Sequence, residues 1–388
     1  MRENAAALLH RPYGPLRVEA VPYVAPSEGQ LVIRTRALAV NPLDLIKQAT
    51  GNLSFRWLPH PTVLGEDVAG EVVEVGPGVT RFSPGDRVVG YAVGMEKAGD
   101  HMAEGGFQRF TVLREGLSSP IPANMSFENA AVLPLGISTA ASALFGAGQL
   151  GLQHPGAGAL AEEAAVVVWG GSTSVGSNAI QLAVAAGYTV IATASPRNFG
   201  RARLLGAAQV FDYTSATVVR DIATALHGTR VAGILAVGTG SAEPCVEVAI
   251  ATGANRVSLA SPSVSLLELP RRKGVSPRFI RLMTRLAARY VTLQIRSRVN
   301  GIRTGFVWGS RLMEDDVGPM LWERFLPAAL ADGSYTTSPA PQIVGTGLEQ
   351  VQVALELLDK GISARKLVVT MPEENSSTTT LAGSRAGT

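Results

Sequence analysis

One stretch limits what this chain can fold into more than any other. It is Val166-Val167-Val168-Trp169-Gly170-Gly171-Ser172-Thr173-Ser174-Val175-Gly176, then Ser177 to Ala186, then Tyr188-Thr189-Val190-Ile191-Ala192-Thr193. It reads as a buried strand, a glycine turn, a helix and a second buried strand, the βαβ unit that sets a pyrophosphate over a helix N-terminus. Gly171 and Gly176, with Ser172, Thr173, Ser174 and Val175 between them, form a relaxed version of the dinucleotide fingerprint. In the plainer alternative the glycines only make a tight turn. The apolar strand before them and the apolar-faced helix after them favour the nucleotide site.

The end of the second strand indicates which dinucleotide. A site for an unphosphorylated ribose usually carries Asp or Glu about 20 residues past the turn, whereas a 2′-phosphate is repelled by a carboxylate and held by Arg. Here the stretch is Thr193-Ala194-Ser195-Pro196-Arg197-Asn198, with no acid. Ser195 and Asn198 can donate to phosphate oxygens and Arg197 can add charge-assisted bonds, with Arg201 and Arg203 nearby. A solvated helix start accounts for the arginines alone, but the missing carboxylate argues for NADP(H).

A length of 388 residues, 46% of them hydrophobic, suggests two or three domains with sizeable cores. The net charge of +3 is too slight to suggest nucleic acid. No run of 18 apolar residues occurs, and Met1 to Ala5 lacks the plan of a secretory signal, so the expectation is a soluble cytoplasmic protein with no membrane span. Cys245 is the only cysteine, which excludes an intrachain disulfide and a Cys-rich zinc site.

Up to about residue 135 the chain reads as short strands: Leu31–Thr35, Val68–Val75, Arg87–Tyr91 and Phe107–Val112, punctuated by turns such as Gly76-Pro77-Gly78. This is the pattern of a small β-barrel, with a short helix opening at Asn41-Pro42-Leu43-Asp44. Helical pattern follows from Phe127 to Leu144. After the βαβ unit, strands are expected at Gln209–Tyr213, Gly233–Val237, Arg256–Ala260 and Val291–Ile295, alternating with helices as a parallel sheet requires. Helices are expected from Pro319 to Leu330 and from Gln350 to Asp359, then a strand at Lys366–Thr370 returning to the first module. The polar stretch 372–388 reads as a disordered tail.

Several of these segments together resemble the medium-chain dehydrogenase/reductase superfamily, in its zinc-free quinone and enoyl reductase branch. They are Asn41 to Asp44, Leu64 to Gly70, Val88 to Gly90, Leu133 to Ala140, Trp169 to Thr173, Ser195 to Phe199, Val210 to Tyr213 and Lys366 to Val369. The resemblance spans about Leu31 to Thr370 and is similar to the fungal group that includes trans-acting enoyl reductases of polyketide pathways. It implies an α/β fold, with a GroES-like β-barrel catalytic domain at 1–135 and 306–371 and a doubly wound parallel-sheet Rossmann domain at 136–305. It further implies NADPH gripped at Leu43 and Asp44 on the catalytic side, at Gly171 to Val175 along the pyrophosphate, and at Ser195, Pro196, Arg197 and Asn198 around the 2′-phosphate. Tyr213, Leu259, Ala260, Ala364 and Arg365 match positions lining the cofactor, and Thr139 matches the place of the nicotinamide. Relatives often carry Lys two residues after the Asp of the Asn-Pro-x-Asp motif; here Ile46 stands there, and Lys47 is turned about 100° away on a helix.

Where a zinc enzyme of this family places its ligands, this chain has Leu43 and Gly65-Glu66-Asp67, neither thiol nor imidazole, so no metal is expected. His10, His60, His101, His154 and His227 show no ligand spacing. The chemistry favoured is hydride delivery to an activated C=C or to a quinone, with Thr139 and Tyr91 as candidate donors to the developing enolate. A non-catalytic NADPH-binding sensor or accessory protein is the reading from another class. Between Arg271 and Arg303 lie ten basic residues and no acid. The plain reading is a solvated face; the sharper one is a dock for an acidic partner, such as an acyl carrier protein or synthase bearing the enoyl substrate. Both monomer and homodimer are compatible with the sequence.

Overall fold

The computed structural model describes residues 2–156, 163–269, 271, 274 and 276–372. The chain forms an α/β structure in which a doubly wound parallel sheet stands beside a mostly antiparallel β-structure. The parallel sheet has six strands, in the order Gln209–Asp212, Thr189–Ala194, Ala164–Trp169, Arg230–Ala236, Arg256–Leu259 and Arg303–Phe306. Every residue of Ala164–Trp169 is buried, as a central strand covered on both faces requires. Strand order reverses between Ala164–Trp169 and Arg230–Ala236, and at such a switch point the carboxyl ends of the strands open a crevice for a ligand.

The other main sheet runs Ala340–Thr346, Arg365–Thr370, Gln30–Ala39, Asp67–Val75, Arg87–Tyr91 and Ser118–Pro120, with Phe110–Arg114 also paired to Gln30–Ala39. The late strand Arg365–Thr370 lies antiparallel to Gln30–Ala39, with Val369 opposite Leu38, so the chain returns to its first sheet after the parallel one is complete. Leu367, Val368 and Val369 are buried, as the run Lys366-Leu367-Val368-Val369 suggests. The helix Pro134–Phe145 is buried along its whole length and packs against the helix Ser174–Ala185 that follows the glycine turn.

One expected strand is a helix. Val291–Ile295 lies within the 23-residue helix Pro277–Val299, and the sixth strand is Arg303–Phe306 instead. The alternation Val-Thr-Leu-Gln-Ile imitates a strand. However, Ser276 caps the helix by accepting the Phe279 N–H at 3.1 Å, Pro277 occupies its first position, and no Gly or further Pro interrupts propagation. Leu293 alone of the expected strand is buried. The expected helix Pro319–Leu330 is present but widens into a π-helical turn at Met320–Phe325 around the buried Trp322. The tail expected at 372–388 lies outside the described residues apart from Pro372.

Because Leu367 is completely buried in the returning strand, Leu367→Ala is expected to destabilise the protein by about 2–5 kcal/mol. Denaturant unfolding measures this; a change below about 0.5 kcal/mol, as for a surface position, would detach that strand from the core.

Candidate active site

At the turn after Ala164–Trp169, packing decides the residue types. Gly170 has φ +84°, and a Cβ on Gly176 would lie 2.2 Å from the Gly170 carbonyl oxygen, so the helix can start this close to the strand only with glycine there. A Cβ on Gly171 would touch Ile180 and Ala192 at 3.0 and 3.1 Å. Thr173 caps the helix: its hydroxyl accepts the Gly176 N–H at 3.0 Å and donates to the Gly170 carbonyl at 2.8 Å. Ser172, Thr173, Ser174 and Val175 are half-buried around this N-terminus. The Ser174 hydroxyl is buried with no hydrogen-bond partner. A helix N-terminus with spare donors fits a pyrophosphate.

The end of the next strand gathers polar and basic side chains. Ser195 to Asn198 make a short 3₁₀ turn in which Arg197 is exposed and the Asn198 side-chain amide is buried without a partner. Arg197 donates to the Ser363 hydroxyl at 3.0 Å, which brings the exposed Arg365 and the left-handed Ala364 (φ 51°) to the same place. Arg201 donates to Ser338 at 3.1 Å, and burial together with the nearby charge of Arg365 holds its guanidinium below the usual range. Tyr213 is exposed at the end of its strand, while Leu259 and Ala260 close the end of theirs.

On the other half, a buried polar cluster stands at the helix Pro134–Phe145. Thr139 sits on the buried helix Pro134–Phe145; its hydroxyl lies 2.7 Å, and the Tyr91 hydroxyl 3.4 Å, from the point a Gly309 Cβ would occupy. Ser142 donates to the Gly309 carbonyl at 3.0 Å and fixes that segment. Tyr91 is 1% exposed, so its hydroxyl serves the interior. That hydroxyl lies 3.4 Å from Glu66. Asp44 lies behind: its carboxylate accepts the Asn41 N–H at 2.8 Å, capping its own helix, and the Gly65 N–H at 3.0 Å. Both oxygens of Asp44 are thereby committed to the backbone, whereas Leu43 beside it is half-buried and packs against both main cores.

The model of the alcohol dehydrogenase GroES-like domain matches residues 27–123. The chain is 45% identical over 358 residues to dehydrogenase pigH of Monascus ruber, covering 92% of this chain and 96% of that one. The chain belongs to the medium-chain dehydrogenase/reductase superfamily. It is also 37% identical to trans-enoyl reductase himH of Aspergillus japonicus, over 88% of this chain and 89% of that one. The solved structure of CurK enoyl reductase shares the fold, with a TM-score of 0.69 at 18% identity, over 96% of this chain and 100% of that one. Membership of this superfamily makes the chain an oxidoreductase with a nicotinamide cofactor, and the glycine-lined cradle and the orphaned Ser174 and Asn198 groups fit one.

Where superfamily members with zinc use thiol or imidazole, this cleft holds carboxyl groups. Asp44, Glu66 and Asp67 are all buried. Asp67 is neutralised by Lys366 at 2.7 Å. Burial, and then the charge of Asp67, push Asp44 up to about 7 against its backbone bonds, and burial with the charges of Asp44, Glu96 and Asp67 pushes Glu66 well above the carboxylate range. Among the described residues no group of three His, Cys, Asp or Glu is arranged to hold a metal ion. Glu66, Glu96, Trp308 and Gly309 escaped the sequence reading as site residues. Trp308 and Gly309 reach the cleft from the connection after the sixth strand, where no local signal marks them.

The site also has a use for Lys47. It is completely buried, donates to the Gly51 and Phe55 carbonyls at 3.3 and 3.2 Å, and burial lowers its amine to about 8. It thereby fixes the loop carrying Phe55, whose ring stands 5.5 Å from Trp308. The unfolded chain holds its Lys proton up to about 10.5 and the folded one only to about 8, so stability rises with pH across that window. Lys47→Met should remove this rise, and the difference between variant and wild type should shift by about 3 kcal/mol from pH 8 to pH 10.5. Parallel unfolding curves at all pH values would show that the amine is not desolvated.

Proposed function

We propose that the protein uses NADPH to reduce a C=C bond activated by a neighbouring carbonyl, in a free or carrier-bound enoyl substrate. The observation that carries this reading is the donor set of the cleft: Thr139, Tyr91 and Glu66 offer protons and hydrogen bonds, while Asp67 is committed to Lys366, Asn41 and the Leu135 N–H. That set suits an enolate oxygen and a proton transfer better than a metal-bound alkoxide. The relation to trans-enoyl reductase himH over most of both chains supports it.

Bound in this site, NADPH supplies the hydride. Ser172 to Val175 at the helix N-terminus hold the pyrophosphate, and Ser195, Arg197 and Asn198, with Arg365 beside them, hold the 2′-phosphate. Tyr213, Leu259, Ala260 and Ala364 line the cofactor and exclude water. Leu43 gives the reacting carbon an apolar floor, and Thr139 orients the substrate carbonyl. No zinc takes part in this reading, and elemental analysis returning one zinc per chain would overturn it.

The basic segment supports a docking role less uniformly than its composition suggests. Arg271 pairs with Asp359 at 2.5 Å, Arg296 with Glu247 at 2.8 Å, and Arg289 donates to the Ser263 carbonyl. Exposed Arg278, Arg281, Arg285 and Arg298 remain for an acidic carrier or synthase. Reversing the charge of Arg281 and Arg285 should raise KM for a carrier-bound substrate and leave KM for a free thioester unchanged; an equal effect on both would remove the dock.

The reaction is tested by following NADPH absorbance with an enoyl thioester, an enal, a quinone and an alcohol product in turn. Turnover of the enoyl substrates is expected. Turnover of the quinone alone would make the protein a quinone reductase, and binding of NADPH with no turnover would make it an accessory protein. Arg197→Ala should weaken NADPH about 10-fold and leave NADH unchanged; equal loss for both nucleotides would show that Arg197 does not face the 2′-phosphate.

A further inference from the structure

Glu66 is a buried acid that the reading above counts among the donors but gives no step of its own. It is 2% exposed on the segment entering the strand Asp67–Val75, and its Oε2 is buried without a hydrogen-bond partner. Its other oxygen meets the Tyr91 hydroxyl at 3.4 Å. An ionised carboxylate left this way lacks the partners a buried charge needs, whereas a neutral carboxyl group needs fewer.

The neighbouring carboxylates all point the same way, opposed by the hydrogen bond from Tyr91. Asp44, on the helix Pro42–Thr50, Asp67 on the adjoining strand and Glu96 on the loop after Arg87–Tyr91 all bear on Glu66, and each raises its proton affinity. The cation in this group, Lys366, bonds Asp67 and Asn41 instead. Glu96 is held by the Trp308 indole N–H at 3.0 Å and by Ser310, with Arg114 nearby. With Glu66 protonated, the contact to Tyr91 can run from the carboxyl O–H to the phenolic oxygen, which leaves the phenol O–H free to turn toward Thr139. The Tyr91 and Thr139 hydroxyls converge on the same point above Gly309.

We propose that Glu66 is the proton store of this cleft, recharging the Tyr91–Thr139 hydroxyl pair as that pair gives one proton to the substrate. The inference rests on the enoyl reductase reading. Hydride addition to the β-carbon leaves an enolate that needs one proton at its α-carbon. The Tyr91 O–H bond breaks as the α-carbon C–H bond forms, with Thr139 holding the enolate oxygen; the Glu66 O–H bond breaks as the phenol O–H is restored, and the resulting carboxylate takes a proton from water, whose hydroxide passes to the solvent. Glu66 is a positioning residue that acts through Tyr91.

The test uses the full chain, as wild type, Glu66→Gln, Tyr91→Phe and the double variant. Gln has the shape of the neutral acid, so Glu66→Gln should fold as well as wild type. The folded wild type retains a proton that the unfolded chain releases near the ordinary Glu value of 4.5, so its stability is lost as pH rises above that value toward the raised folded value, and Glu66→Gln should escape that loss. With an enoyl thioester, Glu66→Gln should lower kcat about 10- to 100-fold with KM for NADPH unchanged, and should change the solvent deuterium isotope effect and the pH profile of kcat. The double variant should be no worse than the poorer single one, as expected for two groups on one path. Infrared difference spectra without substrate should show a protonated carboxyl band that Glu66→Gln removes and Tyr91→Phe shifts. Absence of that band overturns the store whatever the activity. Turnover by wild type that Glu66→Gln retains in full overturns the relay alone. No enoyl turnover by wild type overturns the reading of the reaction, and with it the relay's use.

Discussion

The carboxylate of Asp67 joins four segments that the sequence keeps far apart. One oxygen accepts the Leu135 N–H at 2.6 Å, at the start of the helix carrying Thr139; the other meets the Asn41 side-chain amide at 2.9 Å and the Lys366 ammonium at 2.7 Å. Lys366 in turn reaches Asn41. The helix opening at Asn41, the strand Asp67–Val75, the helix that leads into the parallel sheet and the strand that returns from it are therefore pinned at one buried point. A buried ion pair is costly unless its remaining bonds are made, and here backbone and amide partners make them. Removing one partner leaves an unpaired charge in the interior, so this pair determines where Thr139 and the carboxyl cluster stand.

From that point the two halves of the site follow by different physics. The side proposed for the cofactor is set by close approach: glycines where a Cβ would strike backbone, a Thr cap, and buried side-chain groups left without partners. Catalytic-side groups are set by desolvation. With Lys366 already taken by Asp67, burial holds Asp44 and Glu66 above the ordinary carboxylate range, and Tyr91 is held above the ordinary phenol range by burial and by Glu66. Protons concentrate where the hydroxyls converge, and cations concentrate at the far end beside Ser195 to Asn198.

The central strands of the parallel sheet were readable because they are apolar runs beside glycine turns, and Gly170 to Gly176 stood out as a strand-to-helix turn through the apolar strand before it and the apolar-faced helix after it. Val291–Ile295 misled because period-two alternation over five residues carries no information about the cap at Ser276 or the uninterrupted propagation that follows it. Asn41 and Asp44 were recognisable as a helix start, but not as members of a buried polar cluster, since their partners are Asp67, Gly65 and Lys366. The helical offset set Lys47 one step from its relatives' position, yet gave no hint that its ammonium would bind the carbonyls of the following loop. Glu66 was noted only as a residue where zinc enzymes place a ligand, and Trp308 and Gly309 became visible only when the connection after the sixth strand was placed beside Thr139 and Tyr91.

Ser195, Arg197 and Asn198 are proposed to receive a phosphorylated adenosine ribose, and the rest of the reading depends on it. Calorimetric titration of the wild-type chain with NADPH and, separately, NADH tests it most directly. The phosphorylated cofactor should bind at least about tenfold more tightly, as one or two charge-assisted hydrogen bonds to the phosphate require. Equal affinities for the two nucleotides would contradict the claim.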